Sequence, residues 1–241
     1  MNQREEYGAN GMTIRLQADE NCENVLIWLH GGGLEGGDPE GYAFMAEALL
    51  QQKTGLALPS YRFLQNVPWP ACIEDAAAAA AWVKTHCPGK KILIGGSSAG
   101  AYLSMMLCFD GRYLAAHGMQ PSDISGWIFN SGQPTTHYRV LSHRGEDSRL
   151  SRLDEAAPLY FVHDAGPDAP ILILCAEHDM ACRVTQNRLL KETLEHFGRR
   201  PEDTQMFVLP GYTHCGYDCP ARGHEEPELL AHILDFIRTN F

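Results

Sequence analysis

The segment Lys91–Gly100 reads KILIGGSSAG: a short apolar run, then Gly96-Ser97-Ser98-Ala99-Gly100, a G-x-S-x-G pentapeptide. Directly behind it stands a helix-forming stretch, Ala101 to Leu107. A buried strand that turns at once into a helix leaves no room for a Cβ two residues before or two residues after the central serine, so both places require glycine. The serine is then held in strained backbone geometry, its hydroxyl exposed at the sheet edge and the helix N-terminus beneath it. G-x-S-x-G alone arises by chance in many chains. The strand before it and the helix after it make Ser98 a candidate nucleophile rather than a glycine turn.

The rest of the chain repeats the alternation. Apolar runs that read as strands fall at Met12–Leu16, which looks like an edge strand, and at Val25–Leu29, Gly55–Leu58, Lys91–Ile94, Ser125–Phe129, Ile171–Cys175 and Gln205–Leu209. Helical spacing falls at Tyr42–Gln52, Cys72–His86, the stretch after Ser98, Val184–Phe197 and the amphipathic Glu226–Phe241. Strands of four to six apolar residues alternating with helices imply a mostly parallel sheet covered on both faces, in one domain across residues 1–241. In such folds the reactive groups gather at the carboxyl ends of the strands. Residues 131–170 lack an apolar period and are rich in His, Arg, Asp and Ser. This stretch is too long for an ordinary connection, and it reads as a short cap or substrate-binding excursion.

Charge and cysteine content narrow the partners. A net charge of −11 argues against nucleic acid, which needs a basic face. The N-terminus has no apolar leader, and no run is long enough to span a bilayer, so no membrane partner is expected. Eight scattered cysteines read as reduced thiols in a cytoplasmic protein rather than as a disulfide scaffold. Cys215 and Cys219 flank His214 on its C-terminal side, but they lack the second ligand pair of a zinc site, so no metal is expected. A homodimer is compatible with the sequence.

A serine hydroxyl needs a base to take its proton and a carboxylate to orient that base. Ser98 follows one strand. Glu177, His178 and Asp179 follow ILILC, and His214 follows the final strand after Pro210-Gly211. The order Ser, acid, His, each just past a strand, is that of the α/β-hydrolases. Asp179 is favoured over Glu177 because two further loop residues let it reach the neighbouring loop. His214 is favoured over His178, which adjoins the acid, and over His137, His143 and His163, which lie in the excursion and could touch substrate. The oxyanion of an acyl-transfer intermediate also needs donors. After VLIWL comes His30-Gly31-Gly32-Gly33, whose amides can turn toward a substrate, and Ala99 offers another N–H. No G-K-[ST] and no G-x-G-x-x-G accompanies these glycines, so a phosphate loop and a nucleotide cofactor are not indicated.

Taken together, HGGG at 30–33, Gly96–Gly100, Tyr61-Arg62-Phe63 with Pro68, Pro70 and Asp75, and then Asp179 and His214 resemble the hormone-sensitive-lipase-like esterase branch of the α/β-hydrolases, over about residues 25 to 216. The resemblance implies an α/β-hydrolase fold and a cofactor-free carboxylesterase acting on a small-molecule ester. It implies Ser98 as nucleophile, His214 as base, Asp179 as acid, and Gly32, Gly33 and Ala99 as oxyanion donors. It gives Tyr61, Arg62 and Asp75 a structural role only. The chain departs from the family where Ser97 replaces an acidic residue common in members, where Ser60 stands for Asp, and in lacking a long N-terminal cap. A short acyl group is expected because no amphipathic cap or extended apolar insertion is visible in the sequence. An aryl-formamidase or short-peptide hydrolase would use the same residues. A non-catalytic binding protein on this fold would typically have lost one of the three, and all three are present.

Overall fold

The computed structural model describes residues 2–218 and 227–241. Cys219, and with it the second thiol of the pair beside His214, lies outside the described residues, as does Glu226. The strands are β1 (Asn2–Tyr7), β2 (Met12–Gln17), β3 (Asn24–Leu29), β4 (Thr54–Pro59), β5 (Lys91–Ser97), β6 (Gly126–Asn130), β7 (Ile171–His178) and β8 (Thr204–Thr213). The helices are α1 (Ala46–Gln51), α2 (Ala71–His86), α3 (Ala99–Phe109), α4 (Arg112–Ala115), α5 (Tyr138–His143), α6 (Arg183–His196) and α7 (Glu228–Asn240).

The eight strands form one sheet in the order β1-β2-β4-β3-β5-β6-β7-β8. Only the β1–β2 and β2–β4 pairs are antiparallel. Each central strand is buried on both faces, and its side chains alternate between them as the pleat requires. Val25, Ile27 and Leu29 of β3 join Ile92 and Ile94 of β5 and Trp127 and Phe129 of β6 in the core shared with α2, α3 and α6. Leu26, Trp28, Leu93 and Ile128 face the opposite core, closed by α1 and α7. On α7 the buried residues are Leu229, Ile233, Phe236 and Ile237, one stripe at helical spacing. α3 has no polar face, since every residue from Ala99 to Cys108 is buried. None of the helices described is long and apolar enough to cross a membrane.

Two expectations change. β2 is not the edge strand, because β1 pairs along its free side from Asn2↔Gln17 to Tyr7↔Met12. The sequence of β1, NQREEY, is charged and carries no apolar run, and charge of this kind protects an exposed sheet edge. The expected helix over Tyr42–Gln52 is a 3-10 helix from Pro39 to Met45 before α-helical bonding starts at Ala46. Pro39 suits the first position, where its missing N–H costs nothing, Gly41 weakens the turn behind it, and Asp38 caps it by accepting from the Glu40 N–H at 2.9 Å.

Candidate active site

The β5–α3 turn has the geometry its glycines require. A Cβ on Gly100 would lie 1.9 Å from the Leu29 carbonyl oxygen, and one on Gly96 would lie 2.5 Å from the same atom. β3 therefore packs directly against the turn, and only hydrogen fits. Ser98 takes φ 54° and ψ −110°, a strained pair for a residue with a side chain. Its N–H is anchored to the Asn130 carbonyl at 2.7 Å.

Three strand ends bring three side chains into line. His214 Nε2 lies 2.8 Å from Ser98 Oγ, and His214 Nδ1 lies 2.5 Å from Asp179 Oδ1. The Asp179 side chain is only 1% exposed. Burial alone would raise the Asp179 pKa. Hydrogen bonds from His214, Ser131 Oγ and the Met180 N–H outweigh it, so the carboxyl sits below the ordinary carboxylate value and stays ionised. Glu177, the competing acid, is exposed and accepts the Gly211 N–H at 2.8 Å, bracing the turn that carries His214.

The other histidines lie elsewhere. His178 is exposed beside Glu177, His163 is exposed, and His143 pairs with Glu35 at 3.0 Å on the surface. His137 is fully buried, and its Nδ1 caps α5 by accepting the Arg139 N–H at 3.3 Å. Burial, with Arg183, Arg139 and His214 nearby, holds His137 well below the usual imidazole value and keeps it neutral.

The glycine loop after β3 runs past Ser98. Gly32 adopts φ 124°, and a Cβ there would strike the Gly36 carbonyl oxygen at 2.0 Å. Ala99 opens α3, so its N–H is one of the first-turn donors with no partner inside the helix. The loop is clamped at its root by His30. The His30 ring stacks on Tyr61 with centroids 4.3 Å apart, and the His30 carbonyl accepts the Tyr61 hydroxyl at 2.8 Å. Arg62 in turn is tied to buried Asp75 through its N–H at 2.9 Å and its Nε at 2.8 Å. The Tyr-Arg segment thus supports the glycine loop from behind, a role that the sequence pattern alone does not reveal.

A cavity of about 460 Å³ opens above Ser98. Gly31–Gly33, Asp38, Tyr42, Tyr138, Met180, His214 and Cys215 are among the residues that line it. The 131–170 excursion therefore contributes Tyr138 to the lining, and the 3-10 segment beginning at Pro39 contributes Gly41 and Tyr42. Ser97, standing where an acidic residue is common, is buried and accepts the Asn130 side-chain amide at 2.9 Å. Sequence reasoning passed over Asn130, Ser131, Arg183 and Tyr217, which pack under the site. The one signal available was that Asn130 and Ser131 are polar residues at the carboxyl end of a buried strand.

Comparison with known proteins agrees with this fold. The BD-FAE family model matches residues 12–119, and the prolyl oligopeptidase family model matches residues 70–241. The carboxylic ester hydrolase LipN of Mycobacterium tuberculosis is 30% identical over 112 residues, 43% of this chain and 30% of LipN. Lipase 2 of a Moraxella species is 28% identical over 175 residues, 66% of this chain and 38% of its own. The chain thus spans about a third of the length of these curated relatives. The structure of the Thermogutta terrifontis esterase Est2 with propionate bound superposes with a TM-score of 0.81 at 17% identity, covering 99% of this chain and 93% of Est2. That likeness is one of fold. With the sheet order, the strand-end geometry and a family match across residues 70–241, the chain belongs to the prolyl oligopeptidase family and carries the α/β-hydrolase fold.

Proposed function

We propose that this chain is a serine hydrolase of small carboxylic esters, with Ser98 as nucleophile. The observation that carries the reading is the unbroken relay from Asp179 Oδ1 through His214 to Ser98 Oγ, at 2.5 Å and 2.8 Å. Ser98 Oγ attacks the ester carbonyl while His214 Nε2 takes its proton. The buried Asp179 carboxylate holds the Nδ1–H tautomer and stabilises the imidazolium. The N–H groups of Gly32, Gly33 and Ala99 receive the oxyanion of the tetrahedral intermediate. Collapse expels the alcohol with the proton from His214. Water, deprotonated by the same imidazole, then releases the acid from Ser98.

The cavity supports a small substrate. Its volume of about 460 Å³ lies in the lower part of the range for small-molecule sites. Its described lining includes Asp38 and Asp218 and neither lysine nor arginine, which favours neutral or cationic esters over anionic ones. LipN and Lipase 2 are named as an ester hydrolase and a lipase, and that agrees with ester chemistry. The prolyl oligopeptidase family match supports a second reading, cleavage of a short peptide or formamide bond by the same residues.

One panel tests both. Acetate, butyrate and octanoate esters of p-nitrophenol are compared with an N-formyl aryl amine and a dipeptide p-nitroanilide. The short esters are expected to be cleaved fastest. Faster cleavage of the amides would favour the second reading. A fluorophosphonate is expected to label the wild type and not Ser98→Ala, and His214→Ala is expected to lose most of its rate while retaining binding. A wild type that neither labels nor turns over any ester would leave a binding protein on a hydrolase fold.

A further inference from the structure

Behind the relay lies a second strained serine to which the reaction above gives no part. Ser131 follows the last residue of β6, is fully buried, and has φ 53°. Glycine adopts this left-handed backbone without penalty, whereas serine pays a steric cost that persists only where the surroundings hold it. Three groups do so. The Ser131 N–H donates to the Leu174 carbonyl at 2.7 Å, its own carbonyl accepts Arg183 Nη1 at 2.5 Å, and its Oγ donates to Asp179 Oδ2 at 2.7 Å. The first two bonds involve only backbone atoms of Ser131, and glycine would make them equally well. The hydroxyl is what serine adds.

Counting protons fixes where that hydroxyl points. Ser131 Oγ also lies 3.3 Å from the Tyr217 hydroxyl. The single Tyr217 proton is committed to Asn130 Oδ1 at 2.6 Å, and the Asn130 amide nitrogen donates onward to Ser97 Oγ at 2.9 Å. The Ser131 proton is left with two acceptors, a neutral phenol oxygen and a nearer carboxylate oxygen. A charged acceptor at shorter range forms the stronger bond.

We propose that Ser131 is a positioning residue for Asp179: its O–H occupies Oδ2, together with the Ala176 N–H at 3.2 Å, and leaves Oδ1 to face His214. The inference rests on the reading of Ser98, His214 and Asp179 as the reacting relay. Without the hydroxyl, Oδ2 keeps only the Ala176 N–H, so the carboxylate is held less firmly and carries more charge on its oxygens. Greater charge there makes the imidazolium of His214 harder to deprotonate, so the base becomes available only at higher pH. Among the described residues, the other groups facing Asp179 are His214 after β8, Arg183 on α6, Cys175 on β7 and Tyr217 in the turn beyond His214, and Cys215 Sγ lies 3.8 Å from His214 Nε2. His137 faces Arg183 and His214. All of them remain when Ser131 alone is changed.

The experiment uses the full chain as wild type, Ser131→Ala and Ser131→Gly. kcat/KM for p-nitrophenyl acetate is followed from about pH 5 to about pH 9, beside fluorophosphonate labelling and thermal melting. Both variants are expected to show an acid limb displaced upward by about half a pH unit or more, with a plateau lowered about 10- to 100-fold. Ser131→Gly relieves the backbone strain, so it melts at or above Ser131→Ala while sharing its pH profile. That combination separates positioning from folding. An active wild type whose acid limb is unmoved in both variants would overturn the role of Ser131 and leave the triad reading standing. A wild type that is neither labelled nor active would instead overturn the triad reading, and this inference with it.

Discussion

Tyr61 lies nearly flat on His30, the two rings inclined by 13°, while its hydroxyl donates to the His30 carbonyl at 2.8 Å. His30 immediately precedes the glycines that run past Ser98, so a residue two positions beyond β4 fixes the root of a loop at the end of β3. Tyr61→Phe keeps the stack and removes the donor, leaving a buried carbonyl unpaired. The expected cost is about 1–2 kcal/mol of stability. If the loop amides also lose their aim, kcat/KM falls about tenfold. Thermal melting and ester kinetics on the same preparation check both effects, and wild-type values in both would show that the clamp is idle.

The close approach of β3 to the nucleophile turn makes a sharper prediction. Gly100→Ala places a methyl group 1.9 Å from the Leu29 carbonyl oxygen, an atom locked in the sheet, where no flexible side chain can yield. The variant is expected to lose about 3 kcal/mol or more, and to lose fluorophosphonate labelling at Ser98 as the turn is displaced. A folded, labelled Gly100→Ala would mean that β3 and α3 can separate without cost to the site.

Acid and base were both open to confusion with neighbours in the chain, and geometry separates them. Glu177 accepts a backbone N–H from Gly211 and His178 is exposed next to it, whereas Asp179 is buried against His214. Glu177→Gln retains an acceptor oxygen for Gly211, so it and His178→Ala are each expected to keep activity within about twofold of wild type. A loss of a hundredfold or more in either would move the acid or the base to that residue.

These neighbours illustrate how far the sequence carries. Gly96, Ser98 and Gly100 were legible because a strand, a turn and a helix constrain one another over ten residues. Asp179 and His214 were legible because parallel strands bring their carboxyl ends together whatever the distance along the chain. The alternation of Leu26 and Trp28 against Val25 and Ile27 was hidden, because a strand buried on both faces shows no polar period. β1 was hidden for the opposite reason, since a charged edge strand carries no apolar pattern at all. The support from Asn130, Ser131 and Tyr217 joins residues 87 positions apart through hydroxyl and amide groups, and nothing in local spacing marks such a contact.

The ionisation of Asp179 couples the site to stability through pH. Burial opposes its charge, yet the hydrogen bonds from His214, Ser131 and Met180 bring its folded pKa below the ordinary value. A carboxylate depressed in this way contributes stability that is fully present above its unfolded pKa, near about 3.9, and that is lost as pH falls through the lower folded pKa. The wild type is therefore expected to weaken on acidification below about pH 4 through this group, and Asp179→Asn to lack that component of the slope. Urea midpoints for both proteins at about pH 5 and about pH 3 measure the difference. At neutral pH the same variant presents an amide to His214, which no longer favours the Nδ1–H tautomer or stabilises the imidazolium, and kcat is expected to fall by about 10³–10⁴. Parallel slopes with a large loss of rate would place the contribution of Asp179 in the reaction alone. A wild-type rate in Asp179→Asn would remove it from the relay.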